Sequence, residues 1–292
     1  MKRPIGVMLS RVRMEEKMIL SSLERRGIPY VVLDDRRLRF DPDWTLIGHE
    51  SAGSSPLAAV INRSIAYTRG LYAARLLEAR GMTVFNSSQV AEICGDKLQT
   101  TLALERTGLP IPRWGVAFTP ESALAIIEDL GYPVVLKSIV GSWGRLLAKV
   151  NDTDAAEAIL EHKTLLGSSM HGVLYIQEYI AKPNRDIRTI VIGEECVSAM
   201  YRTGSHWITN TARGSRPEPC PISDELAQLS VAAARAVGGG AVAVDLMEDA
   251  TGRLRVNEVN HSLEFHGTFE ATGVNIADQL VDYVLRMCPV CA

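Results

Sequence analysis

Ala241-Val-Ala-Val-Asp245-Leu-Met-Glu248-Asp-Ala-Thr-Gly252-Arg-Leu-Arg-Val-Asn257-Glu258-Val-Asn260-His261 reads as two apolar runs around a polar turn. A Gly-containing turn between such runs predicts a β-hairpin. The hairpin lets Asp245 face Glu258 and Asn260 across its two strands. Glu258 and Asn260 are two positions apart in extended chain, so their side chains share a face. Three hard oxygen donors would then converge, a set that suits Mg²⁺. An ordinary hairpin with a wet polar face has the same local pattern, so the upstream chain has to separate the two readings.

The chain has 292 residues, 47% of them hydrophobic and 22% charged, which places it among globular proteins of two or three subdomains. A net charge of −3 argues against a general nucleic-acid binder. No run is long enough to span a bilayer, and the N-terminus lacks the apolar core of a signal peptide, so a cytoplasmic location is expected. Five scattered cysteines (Cys94, Cys196, Cys220, Cys288, Cys291) do not make a disulfide framework. Cys288-Pro-Val-Cys291 is half of a zinc or redox motif without its partner half, and a frayed tail is the expectation there.

Working outward, the first 95 residues alternate short apolar runs with helical periodicity. Strands are expected at residues 4–9, 30–33, 58–63 and 83–86, with helices at 13–26 and 70–79 and a Gly/Ser-rich loop at 49–56. That rhythm implies βαβ units and a parallel, Rossmann-like layer. No GxGxxG follows any strand, which disfavours a dinucleotide site. Asp96 is placed to cap a helix running to Arg106. Strands at 113–118, 133–137, 146–150 and 173–177 follow, with helices at 120–130, opened by Thr119-Pro120, and 152–162. Strands at 187–192 and 196–201, a loop at 203–221, a helix at 223–236, the hairpin and a helix near 276–285 complete the chain. The class is α/β with α+β subdomains, divided as 1–95, 96–180 and 181–292.

Four features upstream of the hairpin change its reading. Lys97 opens a helix and Lys137 ends the apolar run Val-Val-Leu, where a buried ammonium needs an anionic partner. Gly141-Ser142-Trp143-Gly144-Arg145 sits between two strands, and its backbone N–H groups can cradle phosphate. It is not a Walker A loop, since no GKS or GKT ends it. Gln177-Glu178-Tyr179-Ile180 closes a strand with groups that suit adenine and ribose. Arg185, Arg188, Arg202 and Arg213, with Asn210 among them, supply forks for carboxylate and phosphate. Each feature alone also fits a solvated surface; their combination in this order is much harder to obtain by chance.

The order Lys97, Lys137, Gly loop, Gln177-Glu178-Tyr179, Asp186-Ile-Arg188, Asp245, Glu258-Val-Asn260 resembles the ATP-grasp superfamily in its RimK-like branch. Ile139-Val-Gly-Ser-Trp-Gly-Arg-Leu-Leu-Ala-Lys149, His206-Trp-Ile-Thr-Asn-Thr-Ala-Arg-Gly214 and Val256-Asn-Glu-Val-Asn-His261 are similar to the LysX family of α-aminoadipate–LysW ligases. The resemblance extends over essentially the whole chain. It implies an ATP-grasp fold behind a Rossmann-like N-terminal domain. It implies ATP held by Lys97, Lys137, Gly141 to Arg145, Gln177, Glu178, Tyr179 and Ile180, with Arg185 and Asp186 beside the nucleotide. Arg202, Asn210 and Arg188 would serve catalysis, and Asp245, Glu258 and Asn260 would bind Mg²⁺. Arg213, His261, Ser262, Glu264 and Phe265 would meet the substrates.

The implied reaction joins the amine of α-aminoadipate to the C-terminal glutamate side chain of LysW, a small acidic carrier protein, through an acyl phosphate. A homo-oligomer, dimer or tetramer, with no nucleic-acid or membrane partner, belongs to the same expectation. His266-Gly267 departs from the Lys-Asn that follows the equivalent Phe in the family pattern, which leaves α-aminoadipate and glutamate both open as the amino acid. They differ by one methylene, worth only about 1–3 kcal/mol in a pocket. A glutamate ligase of arginine biosynthesis, an enzyme that takes both amino acids, or a glutamate ligase of a protein tail is the second enzyme reading. A nucleotide-binding sensor without turnover is the non-enzymatic one, and it is disfavoured because no metal ligand or phosphate lysine is missing.

Overall fold

The computed structural model describes residues 3–40, 46–47, 57–141, 147–166, 172–210 and 214–288. β1 (Ile5–Leu9), α1 (Met14–Arg25) and β2 (Tyr30–Asp34) form the expected βαβ unit. β3 (Arg39–Phe40) and β4 (Leu46–Ile47) pair in a short antiparallel ladder too brief for a periodic signal. β5 (Ala59–Asn62), α2 (Tyr67–Glu78), β6 (Val84–Phe85) and α3 (Ser88–Gly95) follow. The sheet is parallel in the order β2-β1-β5-β6. Every residue of β1 is buried, which explains its continuous apolar run. From β1 the chain goes to β2 on one side and returns to β5 on the other. Such a reversal opens a crevice at the carboxyl ends of β1 and β5, where α/β sheets bind ligands.

The sequence reading has no helix at α3. Ser87 Oγ accepts from Val90 N, and extended Asp96 stops α3 while its carboxylate caps the next helix. Eight residues carry too little periodicity to register as a helix. α4 (Lys97–Arg106), β7 (Trp114–Ala117), α5 (Pro120–Leu130), β8 (Val134–Lys137), β9 (Leu147–Val150), α6 (Thr153–Leu166) and β10 (Leu174–Glu178) come next. Thr119 caps α5 with Pro120 at its first turn, as expected. These strands form an antiparallel sheet, β7-β10-β8-β9.

The last part contains β11 (Arg185–Ile192), β12 (Glu195–Thr203), β13 (Arg216–Pro219), α7 (Asp224–Ala236), β14 (Ala241–Glu248), β15 (Leu254–Asn260), α8 (His266–Thr272) and α9 (Ile276–Met287). The sheet order is β13-β12-β11-β14-β15, all antiparallel. β14 and β15 are the predicted hairpin, with Asp245 paired to Glu258. β13 falls in the stretch read as a loop because Pro217 and Pro219 argue against a strand; at a sheet edge they are tolerated. α8 is another helix the sequence does not announce, being short and containing Gly267.

Ile5, Val7, Ile19 and Leu23 share one buried core with Ile190, Phe265, Ile276, Val281 and Val284, so α9 closes over the parallel sheet. Cys288 belongs to that core and its Sγ donates to Ala58 O at 3.4 Å, which corrects the frayed-tail expectation there; Cys291 lies outside the described residues. Among the described residues no helix is long and apolar enough to cross a membrane.

Asn86 ties the first sheet to the hairpin. Its Nδ2 donates to Ala241 O and His261 O, both at 2.6 Å, and its Oδ1 accepts from Ala241 N at 2.8 Å. Gly240, at φ +96°, must lack a Cβ, because one would stand 2.2 Å from that Oδ1. Asn86→Ala strips partners from three backbone groups, two of them buried, and a loss of about 3 kcal/mol in urea unfolding is expected. An unchanged unfolding midpoint would show that the clamp adds nothing.

Candidate functional site

A cavity of about 500 Å³ lies between the parallel sheet, the β7–β10 sheet and the hairpin. β8 delivers Lys137 to it with only 8% exposure. The Lys137 ammonium donates to Asn257 Oδ1 at 3.1 Å. Burial pushes its pKa down to about 8, with Lys97 and Lys182 adding repulsion and Glu258 opposing them. Lys97 opens α4 and donates to the carbonyl of Gly141, a lining residue, at 2.6 Å. Ser142, Trp143, Gly144 and Arg145 lie outside the described residues, as does Arg213.

The hairpin and β11–β12 supply a dense charge network on the opposite wall. Arg188 grips Asp245 with both prongs, Nε to Oδ1 and Nη2 to Oδ2, each at 2.7 Å. Arg202 bridges Asp186 Oδ1 at 2.6 Å and Asp245 Oδ2 at 3.2 Å. Cross-strand register explains the meeting, since Arg188 pairs with Asp245 and Asp186 with Arg202. Burial acts to raise the Asp245 pKa, but the two guanidinium groups outweigh it and hold the carboxyl well below the usual range. Thr209 donates to Asp186 Oδ2 at 2.6 Å, and Lys182 donates to both Thr209 and Asp186. Asn210 also lines the cavity.

Glu258 and Asn260 face the cavity with Asp245, and Asn260 Nδ2 lies 3.4 Å from Asp245 Oδ2. Strict alternation would turn Asn257 away. A register shift between Asp245 and Leu246 leaves Asn257 unpaired, and this bulge brings it into the same lining.

Gln177, Glu178, Tyr179 and Ile180 line the cavity at the end of β10. The Glu178 carboxylate accepts from Arg113 N at 2.8 Å and Arg113 Nε at 2.9 Å, so the group read as a nucleobase or ribose acceptor already has a protein partner. Lys149 Nζ stands 3.8 Å above the Tyr179 ring.

Among the described residues, three expected ones are not in the lining: Lys97, which touches it only through the Gly141 carbonyl, Arg185 and Phe265. Arg185 pairs with Glu248 at 3.1 Å and stacks over Tyr201, outside the cavity lining. Phe265 is fully buried in the core, because its place next to α8 turns the ring inward. His261, Ser262 and Glu264 do line the cavity. Burial, with Arg63 adding to it, lowers the His261 pKa to about 4, so the imidazole is neutral at neutral pH. Lys182, Thr209, Asn257, Arg13 and Ser64 are lining residues that the sequence reading does not single out. Lys182 lies in the loop before β11, where i,i+4 spacing to Asp186 carries no helical meaning, and like Arg13 and Ser64 it joins the site only through the folded structure.

Residues 94–284 match the model of the RimK-like ATP-grasp domain. The chain belongs to the RimK-like ATP-grasp family. It is therefore an ATP-grasp ligase, and residues 5–93 match the LysX preATP-grasp domain. A glutamate–LysW ligase, ArgX, of Sulfurisphaera tokodaii is 36% identical over 94% of this chain and 95% of its own. An α-aminoadipate–LysW ligase, LysX, of Saccharolobus solfataricus is 31% identical over 92% of this chain and 96% of its own. The crystal structure of a RimK-domain ATP-grasp protein from Sphaerobacter thermophilus superposes with a TM-score of 0.77 at 26% identity, covering 96% of this chain and 98% of that one. The mixed α/β architecture of this RimK-like ligase is thus the ATP-grasp fold, with ATP as the family's cosubstrate.

Proposed function

We propose that this ligase joins the amino group of α-aminoadipate to the γ-carboxyl of the C-terminal glutamate of a LysW-type acidic carrier protein, as a step of lysine biosynthesis. Glutamate is the second candidate for the amine, favoured by the 36% identity to a glutamate–LysW ligase. The observation that carries the reading is the cavity itself. Lys137, Lys182, Arg188 and Arg202 meet Asp245 and Glu258 there, the charge pattern that phosphoryl transfer to a carboxylate needs.

A carboxylate is a poor acylating agent. Its oxygen attacks the γ-phosphorus of ATP and ADP leaves, which gives an acyl phosphate. The amine, in its neutral form, then attacks the acyl carbon, phosphate leaves, and the amide nitrogen gives up one proton to solvent. Lys97 and Lys137 would hold phosphate oxygens, with the Gly141–Arg145 loop over them. Gln177 through Ile180 would flank the adenosine. Arg202 and Asn210, with Arg188 beside them, would stabilise charge on the transferring group and then on the acyl carbon's oxygen.

Two carboxylates and an amide oxygen form a hard donor set that fits Mg²⁺ while leaving positions for water and phosphate, so Asp245, Glu258 and Asn260 would hold that ion. When bound, it would neutralise phosphate charge.

ADP release with purified carrier and Mg-ATP tests the reading, comparing α-aminoadipate with glutamate. Turnover with α-aminoadipate alone fits lysine biosynthesis, and turnover with glutamate alone moves the enzyme to the arginine route. Turnover with neither contradicts carrier ligation.

A further inference from the structure

The crevice between the carboxyl ends of β1 and β5 opens into the same cavity, and Arg13 and Ser64 there have no role in the reaction as described so far. Arg13 follows β1 and Ser64 follows β5, and both are lining residues together with Glu264 from the segment after the hairpin. Arg13 is held rigidly. Its backbone N, Nε and Nη2 all donate to the Glu16 carboxylate, each at 3.0 Å. Glu16 is fully buried and is also gripped by Arg63, through Nε at 3.0 Å and Nη2 at 2.8 Å. That clamp leaves Arg13 Nη1 aimed at Glu264 Oε1, 3.0 Å away.

The other end of this bridge is loose. The Glu264 side chain is 39% exposed, against 17% for Arg13, and a partly exposed ion pair contributes little to stability. A second observation points to a ligand. The Ser64 hydroxyl is buried, at 7% exposure for the residue, and finds no partner among the described residues. A buried hydroxyl without a partner is costly unless a bound group completes it.

We propose that Arg13 receives the α-carboxylate of the amino-acid substrate and Glu264 its ammonium group, the substrate's zwitterion replacing the Arg13–Glu264 ion pair charge for charge. Ser64 supplies a hydroxyl to the same carboxylate. The assignment rests on the carrier-ligase reading above. It gives the amino acid a seat at the N-terminal sheet, in the same cavity as Lys137, and makes Glu16 and Arg63 positioning residues for Arg13.

Kinetics with the amino acid varied, at saturating carrier and Mg-ATP, test the proposal in Arg13→Gln. The amino-acid KM should rise at least about 30-fold, the usual consequence of removing one partner of a desolvated charge pair, while the KM for ATP stays put. An amine lacking the α-carboxylate, 5-aminopentanoate or 4-aminobutanoate, should be used equally well or poorly by wild type and Arg13→Gln. A purely structural defect would handicap the variant with that amine too, and so would overturn the assignment. Glu264→Gln is the second variant, made without touching the buried clamp. It should weaken the amino acid and the decarboxylated amine alike, because both carry the ammonium group. Wild-type turnover with unchanged amino-acid KM in both variants overturns this proposal and leaves the ligase reading standing. No wild-type turnover with either amino acid overturns both.

Discussion

Asp245→Asn is expected to destabilise the fold by about 3–5 kcal/mol and to lower turnover by about 10²–10³-fold. The carboxylate is 6% exposed and faces two guanidinium groups, Arg188 at 2.7 Å on each oxygen and Arg202 at 3.2 Å. Asparagine keeps the shape but turns one oxygen into a donor aimed at other donors. Arg202 retains Asp186, whereas Arg188 meets no second anion among the described residues, so the uncompensated charge falls on Arg188. The same substitution removes one of two carboxylates from the proposed Mg²⁺ set. Urea unfolding reads the first effect, and the Mg²⁺ concentration needed for half-maximal ADP release reads the second. A destabilised variant with wild-type turnover and Mg²⁺ dependence would make Asp245 a structural counter-ion only.

Glu16→Gln is expected to cost about 3–5 kcal/mol, with no direct contact to the phosphate-binding end of the cavity. Glu16 is wholly buried and accepts from two arginines, of which Arg63 is itself only 3% exposed. Neutralising it leaves a buried guanidinium without its counter-charge. Burial acts to raise the Glu16 pKa, but Arg13 and Arg63 together lower it below the ordinary glutamate value. The unfolded chain therefore binds the proton more readily. The stability this group adds is present above the ordinary glutamate pKa of about 4.3 and is lost as the pH falls below it. The double variant Glu16→Leu/Arg63→Met removes both charges and should recover part of the loss, since well-packed apolar groups can replace a buried ion pair. A single variant as stable as wild type, or a double variant less stable than the single, would contradict the account.

The hairpin was legible because its chemistry and its periodicity coincide: apolar runs flank a Gly turn, and Asp245 pairs with Glu258 as that pattern implies. Lys137 was legible for a similar reason, as a charge at the end of a strand that must be buried. Asn257 was not, because a one-residue bulge changes which face a side chain takes and leaves no mark in an alternation. The resemblance implies a substrate role for Phe265, but packing against the first sheet and α9 claims its ring. Arg13 and Glu264 are 251 positions apart, and it is long-range packing, the core shared by the parallel sheet, α1 and α9 together with the Asn86 link to the hairpin, that brings them into one cavity. Local pattern thus reaches the strands and the charges they carry, while the contribution of the N-terminal sheet depends on long-range packing.

The most direct test of the central claim is the intact mass of a LysW-type carrier after incubation with the enzyme, Mg-ATP and each amino acid. The account predicts a carrier heavier by one amino-acid residue, with fragmentation placing the new amide on the side chain of its C-terminal glutamate. A carrier of unchanged mass with both α-aminoadipate and glutamate, in the presence of ATP, would contradict it.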